Sequence, residues 1–246
     1  MFPLSHTYVS IKVSGRSDNL LIFGSVLPDI ANIFEEEVAK TKIHYSPVEF
    51  YDFVKNNYPD LLDLALGVKL HSNVGKGADF YSDDMEVGFA KIEGRKIVNR
   101  VKKLLGIEDD KISLVLAHNF IEAGVDLNIA EINSDIYKLY FVVINGLDFS
   151  ETEECLAAYL SFEKNLISED LKKFLNFLNP INLASAEKMV NGMILPLINL
   201  KFEKSADRAE TMNILLESKN LVKDKYLGFL NDAVEKMKID FKNVLE

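Results

Sequence analysis

The chain of 246 residues is 48% hydrophobic, enough to close a sizeable core within one large domain. Its single cysteine, Cys155, excludes an internal disulfide framework and a cysteine-based zinc cluster, so any metal must be held by histidine and carboxylate. A net charge of −10, with no basic patch interleaved with aromatics, argues against nucleic acid and anionic membranes as partners.

The N-terminus, Met1-Phe-Pro-Leu-Ser-His6, has neither a basic n-region nor a long apolar h-region, and no stretch reaches the roughly 20 apolar residues of a spanning helix. A cytoplasmic protein is expected. After a short apolar run, Ser14-Gly-Arg-Ser-Asp18 reads as a loop, with Asp18 able to cap a helix through Leu20 and Phe23. Gly24-Ser-Val-Leu-Pro28-Asp29 should break that helix, because proline lacks an amide donor and disfavours helix in the residue before it. Asp29 then falls just past the break. Glu35-Glu-Glu37 reads as a solvated turn.

Following His44, Ser46-Pro47-Val-Glu49 is a capping box with proline at the first helical position, opening a helix to about residue 57. Tyr58-Pro59-Asp60 punctuates the chain. A second helix over residues 61–74 carries His71 and ends at Gly75 and Gly77. Asp79-Phe-Tyr-Ser-Asp83-Asp84 is expected to be a loop whose last two acids cap a long helix over 85–105, closed by Gly106.

The next helix, over 109–132, contains Leu114-Val-Leu-Ala-His118-Asn-Phe-Ile-Glu122-Ala-Gly-Val-Asp126. Residues four apart lie one turn above each other, which places His118, Glu122 and Asp126 on one stripe. An imidazole and a carboxylate stacked in this way can share a divalent cation. Further helices are expected over 134–146, 150–165 and 168–178, then a region to Phe202 that Pro196 should kink, and two charged amphipathic helices over 205–218 and 224–244. No long alternating-strand pattern competes. The fold is expected to be all-α, with about ten helices by this reading of periodicity and caps.

The complete histidine inventory, His6, His44, His71 and His118, lies before residue 132, and the second half has neither a phosphate-binding glycine loop nor a nucleophile elbow. Residues 1–132 are therefore read as a helical metal-binding core. Residues 133–246 form a helical half packed on it within one continuous domain, serving as scaffold, lid or partner surface.

The order of these residues resembles the zinc-dependent phospholipase C family, whose superfamily includes single-strand-specific zinc nucleases. The resemblance covers about residues 1–130: an early His6, then Gly24-Ser-Val-Leu-Pro28-Asp29, His44, Gly67-Val-Lys-Leu-His71 and Ala117-His118-Asn-Phe-Ile-Glu122. It implies a multi-helix orthogonal bundle, here with additional C-terminal helices, and a zinc cluster that hydrolyses phosphodiesters. By the same resemblance His6 would bind the metal nearest the N-terminus, Asp29, His44 and His71 would share another, and His118 with Glu122 would hold a third. Asp29 would also be the candidate general base. The sequence departs from the family after His71, where an acid one turn on and then a further histidine are expected. Gly75 stands at the first place, Asp79 is the nearest acid, and Tyr81-Ser-Asp83-Asp84 follows without histidine. There is also no tryptophan to serve as the N-terminal ligand used in that family.

The expectation is a divalent-metal-dependent hydrolase of phosphate esters, chiefly diesters, with metal-activated water as nucleophile. One or two Zn²⁺ ions would serve, Mn²⁺ or Fe²⁺ being alternatives, on the set His6, Asp29, His44, His71, Asp79, His118 and Glu122. The substrate would be a phosphorylated small molecule or lipid. The competing expectation is a non-catalytic helical protein whose structural or degenerate metal site serves partner binding.

Overall fold

Two helices buried on most of their faces stand at the centre of the fold. The computed structural model describes residues 1–34 and 36–245, so the expected turn at Glu35-Glu-Glu37 lies partly outside the described residues, at Glu35. The first central helix, α1 (Pro3–Ser14), opens on proline, where the missing amide donor would have been unpaired anyway, and closes on Gly15 with φ 71°. The second, α9 (Asp110–Ile132), is capped by Asp109, whose carboxylate accepts from the amides of Lys111 and Ile112. A helix that is apolar on most sides has no solvent face to present, so it needs other helices around it.

Helix α2 (Asn19–Gly24) leads into a 3₁₀ segment, Leu27–Asn32, as the Gly24 to Asp29 break requires. Helices α3 (Glu37–Tyr45), α4 (Pro47–Asn57) and α5 (Leu62–His71) follow, and α2 packs against α5. The crossing of α2 on α5 is made by glycine on glycine. A β-carbon on Gly67 would lie 2.6 Å from the Ser25 amide nitrogen, and one on Gly24 would overlap the Leu64 carbonyl. Only glycine permits this approach, which brings the end of α2 beside the end of α5.

Three expectations for this region are corrected. The helix ending at His71 stops there and not at residue 74, since Ser72 is extended and a turn runs to Gly77. The expected loop at Asp79 to Asp84 is instead helix α6 (Ala78–Asp83). The expected long helix over 85–105 starts only at Phe89, because Asp84 draws the amides of Glu86 and Val87 into a turn, and a second turn over 95–97 parts it into α7 (Phe89–Gly94) and α8 (Val98–Leu105). Asparagine and aspartate compete with helical hydrogen bonding in this way.

The second half contains α10 (Ser134–Gly146), α11 (Ser150–Leu160), α12 (Lys164–Phe177) and α13 (Ala186–Met189). Helix α11 ends five residues before the expected boundary at 165, with Ser161 left-handed at φ 62°, and α12 begins at Lys164 rather than at Ser168. A π segment, Val190–Ile194, runs into α14 (Leu195–Phe202), so the distortion around Pro196 is taken up in the turn before it. Helices α15 (Arg208–Val222), α16 (Tyr226–Asp240) and α17 (Lys242–Leu245) finish the chain.

The charged C-terminal helices are part of the core and not appendages. Helix α15 packs on α9 and α16 on α1, and buried side chains such as Leu215 and Leu230 join the same apolar cluster as Val9 and Phe120. The described residues form helices and no strands. None of these helices is long and apolar enough to cross a membrane.

Candidate metal centre

His71 occupies the last turn of α5, and the α2–α5 crossing sets its proton. Its Nδ1 lies 2.8 Å from the Ser25 carbonyl oxygen, which can only accept, so Nδ1 carries the hydrogen and the neutral ring presents a lone pair at Nε2. That atom faces Asp79 Oδ2 at 3.0 Å, without the geometry of a hydrogen bond. Two lone-pair groups held together in the interior repel unless a proton or a metal ion lies between them. Burial alone would lower the His71 pKa, but the Asp79 carboxylate outweighs it and raises it.

Asp79 reaches this place because the chain turns sharply after α5. A β-carbon on Gly77 would lie 2.7 Å from the Leu70 carbonyl oxygen, so the turn closes tightly against the helix end and aims α6 back at it. Asp79 is 4% exposed and stands among three imidazoles: besides His71, His6 Nε2 is 3.3 Å from Oδ1 and His44 Nε2 is 3.5 Å from Oδ2. The His6 and His71 rings are stacked at 3.9 Å, within 10° of parallel. Burial would raise the Asp79 pKa, yet His71 and the Met1 amino group hold it well below the usual carboxylate range. Burial, with His71 adding to it, pushes His6 down to about 3, and burial also lowers His44.

Asp29 joins this group from the 3₁₀ segment. One carboxylate oxygen of Asp29 and one nitrogen each from His6 and His71 all lie within 4.8 Å of one another. Asn32 donates to the Asp29 carbonyl at 3.0 Å and approaches its carboxylate at 3.5 Å, which steadies the turn.

A second group lies across the Met1 amino group, which contacts Asp79 at 2.6 Å and Glu122 at 3.1 Å. His118 Nε2 is 3.8 Å from Asp83 Oδ2 and 3.9 Å from Glu122 Oε2. Ser82 donates to Glu122 at 2.6 Å. Burial raises the Glu122 pKa well above its ordinary value, with Asp83 adding to the effect. Burial would likewise raise Asp83, but the Met1 amino group draws it down to about 2. His118 is pushed down to about 4 by burial, Lys91 adding to this while Asp83 opposes it.

The donor set fits a divalent cation. Both nitrogens of His6, Nδ1 of His44, Nε2 of His71 and Oδ1 of Asp83 are buried without a hydrogen-bond partner, a concentration of unpaired polar atoms that a folded interior does not otherwise tolerate. All seven residues chosen from the sequence, His6, Asp29, His44, His71, Asp79, His118 and Glu122, fall into the three groups whose donor atoms lie within 4.8 Å of one another. Asp29, His44, Asp79, His118 and Glu122 line a cavity of about 310 Å³, and His6 and His71 meet it through Asp79. Its far wall comes from the second half of the chain, with Phe177, Leu178, Met193, Leu197 and Lys201.

Other placements differ from expectation. Neither Asp83 nor Asp84 is the helix cap expected of it: Asp84 accepts from the amides of Glu86 and Val87 in a turn before α7, and Asp83 belongs with His118 and Glu122. The signal for this was available in its spacing, one turn after Asp79. Asp126 continues the stripe of α9 but turns away from the cavity to the start of α1, where it accepts from the amides of Leu4 and Ser5 at 2.7 and 2.9 Å and from the Ser5 hydroxyl. It replaces the side-chain cap that Phe2 cannot supply and so fixes the helix that carries His6. Lys91 was not anticipated at all. Its ammonium group, on a residue 7% exposed, lies 2.8 Å from His118 Nδ1. Its only sequence signal is a charge within the apolar run around Phe89 and Ile92.

No known protein family matches the chain, and no curated protein or solved structure does either.

Proposed function

We propose that this protein is a divalent-metal-dependent hydrolase of phosphate esters, acting on phosphodiesters in the manner of the zinc-dependent phospholipase C family that its histidine order resembles. The observation that carries this reading is the convergence of His6, His44 and His71 on Asp79, with ring nitrogens unpaired, at the edge of a cavity that also receives Asp83, His118 and Glu122. Divalent ions bound there would supply Lewis acidity and lower the pKa of water.

The protein's own residues have separable tasks. The Ser25 carbonyl keeps the His71 hydrogen on Nδ1 and so leaves Nε2 free to ligate. Asp29 lines the cavity and is the general base of the proposal, able to take a proton on its carboxylate while Asn32 holds its backbone. Lys40 and Lys201 place positive charge at the cavity to meet an anionic substrate. The apolar side chains of Phe177, Leu178, Met193 and Leu197 exclude water from the opposite wall.

Lys91 favours a second reading, in which the metal site is structural or degenerate and serves partner binding. A lysine nitrogen against His118 gives that group a cation of the protein's own. Two measurements separate the readings. Elemental analysis of protein purified without chelator should find zinc or a related ion, and hydrolysis of bis(p-nitrophenyl) phosphate should be lost in both His118→Ala and Asp29→Asn. Metal content near zero, without stabilisation by added zinc or manganese, would remove the hydrolase. Metal retained with no turnover of diester or monoester substrates would leave the structural reading.

A further inference from the structure

A second cavity lies behind α6, away from the candidate metal centre. Asp79 and Asp83 of this helix line the first cavity, while Phe80 and Tyr81 line the other, and no described residue lines both. The opposite wall is one stripe of α16, where Phe229, Asp232, Ala233, Lys236, Ile239 and Asp240 recur at the spacing of a single helix face. The space between the walls is about 610 Å³, within the range of small-molecule sites. Ala233 is the smallest side chain of the stripe and leaves the space that a larger one would take.

The cavity is apolar and already formed. Four half-buried aromatic rings line it, those of Phe80, Tyr81, Phe89 and Phe229, and the rings of Phe89 and Phe229 are stacked at 4.3 Å, within 7° of parallel. Val87, Ile92 and Ile239 at its border are 61%, 41% and 77% exposed, and exposed apolar side chains gathered around a hollow mark a binding site. The wall at Val87 and Phe89 is held by the Asp84 turn, in which a β-carbon on Gly88 would lie 2.5 Å from the Asp84 amide nitrogen.

Most of the charged groups at the border are matched among themselves. Lys236 pairs with Asp232 at 2.6 Å and lies over the Tyr81 ring at 5.8 Å, and the Tyr81 hydroxyl donates to Asp240 at 3.3 Å. Lys76, held at φ 64° in the turn after α5, is the lining cation left without an acidic partner among the described residues. We infer that this cavity binds a flat, apolar small molecule with an acidic group at one end, the rings and aliphatic side chains holding its body and Lys76 its charge. The site is separate from the phosphate chemistry proposed above and does not depend on it.

The test uses the full chain and anilinonaphthalene sulfonate, a flat apolar anion, titrated by calorimetry, with folding of each variant checked by circular dichroism. One probe molecule should bind per chain. Ala233→Phe, which fills the cavity, and Phe229→Glu, which places a charge in its wall, should each weaken binding by about tenfold or more. Lys76→Gln, at an exposed position, should weaken it by about two- to fivefold, the worth of an exposed ion pair, and leave binding of the uncharged phenylnaphthylamine unchanged. Affinity unchanged in the folded cavity variants would overturn the site. An equal effect of Lys76→Gln on both probes, or no effect on either, would overturn the acidic end of the ligand. Absence of probe binding by the wild type would overturn the inference as a whole, and a dimer in sedimentation that Phe229→Glu dissociates would overturn it in favour of a second copy covering this face.

Discussion

Asp79 and Asp83 stand one helical turn apart on α6 and serve different groups: Asp79 faces His6, His44 and His71, while Asp83 faces His118 and Glu122. One short helix therefore supplies a carboxylate to each side of the cavity. Asp79→Asn removes the negative charge from the midst of three imidazoles and one candidate metal-binding oxygen. Zinc affinity measured by isothermal titration calorimetry should fall by about 100-fold or more, a larger loss than removal of an outer hydrogen-bond partner causes. Affinity within a factor of two of wild type would exclude Asp79 as a ligand.

Gly67→Ala tests the crossing that orients His71. The added methyl group would sit 2.6 Å from the Ser25 amide nitrogen, so α2 and α5 must separate and the hydrogen bond from His71 to Ser25 must lengthen. Overpacking of this kind costs about 1–3 kcal/mol, read as a lower urea midpoint. Zinc affinity should fall with it. A variant as stable as wild type would mean that the glycine contact is not a constraint.

Asp126→Ala separates a structural carboxylate from the candidate ligands that precede it on the same stripe. Two amides and the Ser5 hydroxyl lose their acceptor, in a place where Asp126 is 0% exposed. A destabilisation of about 2–3 kcal/mol in urea is expected. The zinc-to-chain ratio of the folded variant should stay at its wild-type value, because Asp126 touches backbone and serine and not the cavity. Loss of a metal equivalent without loss of stability would contradict that assignment.

Acid should destabilise the chelated protein through two histidines. His6 and His118 have folded-state pKa values of about 3 and 4 against an ordinary 6.5, burial being the main cause. The unfolded chain takes up these protons first, so this stability is present above about pH 6.5 and is lost as pH falls toward 4 and 3. Asp126 acts in the opposite sense. Burial raises it to about 6 from 3.8, so its contribution is present below about 3.8 and is lost as pH rises through 6. The urea midpoint should decline from pH 7 to pH 4, and the decline should be shallower in His118→Gln, which cannot take up a proton. An equal decline in wild type and variant would exclude His118 as a source of the acid sensitivity.

The helical architecture and most of the candidate site were legible in the sequence, because both rest on local order. Apolar periodicity and end signals placed α4 between Pro47 and Asn57, α9 to Ile132 and α10 from Ser134 to Gly146, since a helix is specified by residues three and four apart. The i, i+4 spacing put His118 and Glu122 on one face, and the break at Pro28 set Asp29 apart from α2. Where a side chain competes with the helix, that reading failed, as at Asp84, whose turn moves the start of the helix expected at 85 to Phe89.

What the tertiary structure alone decided is which donors meet. The return of Asp79 to His71 depends on a turn closing at Gly77, and the orientation of His71 depends on a backbone carbonyl of Ser25, an atom that every residue type possesses. Asp126 shares its stripe with two candidate ligands yet belongs to α1, because a helix start packed against α9 offers it three donors. Lys91 beside His118 is likewise a product of α7 crossing α9. Helical periodicity fixes which way a side chain points from its own axis; only the packing of axes on one another fixes what it finds there.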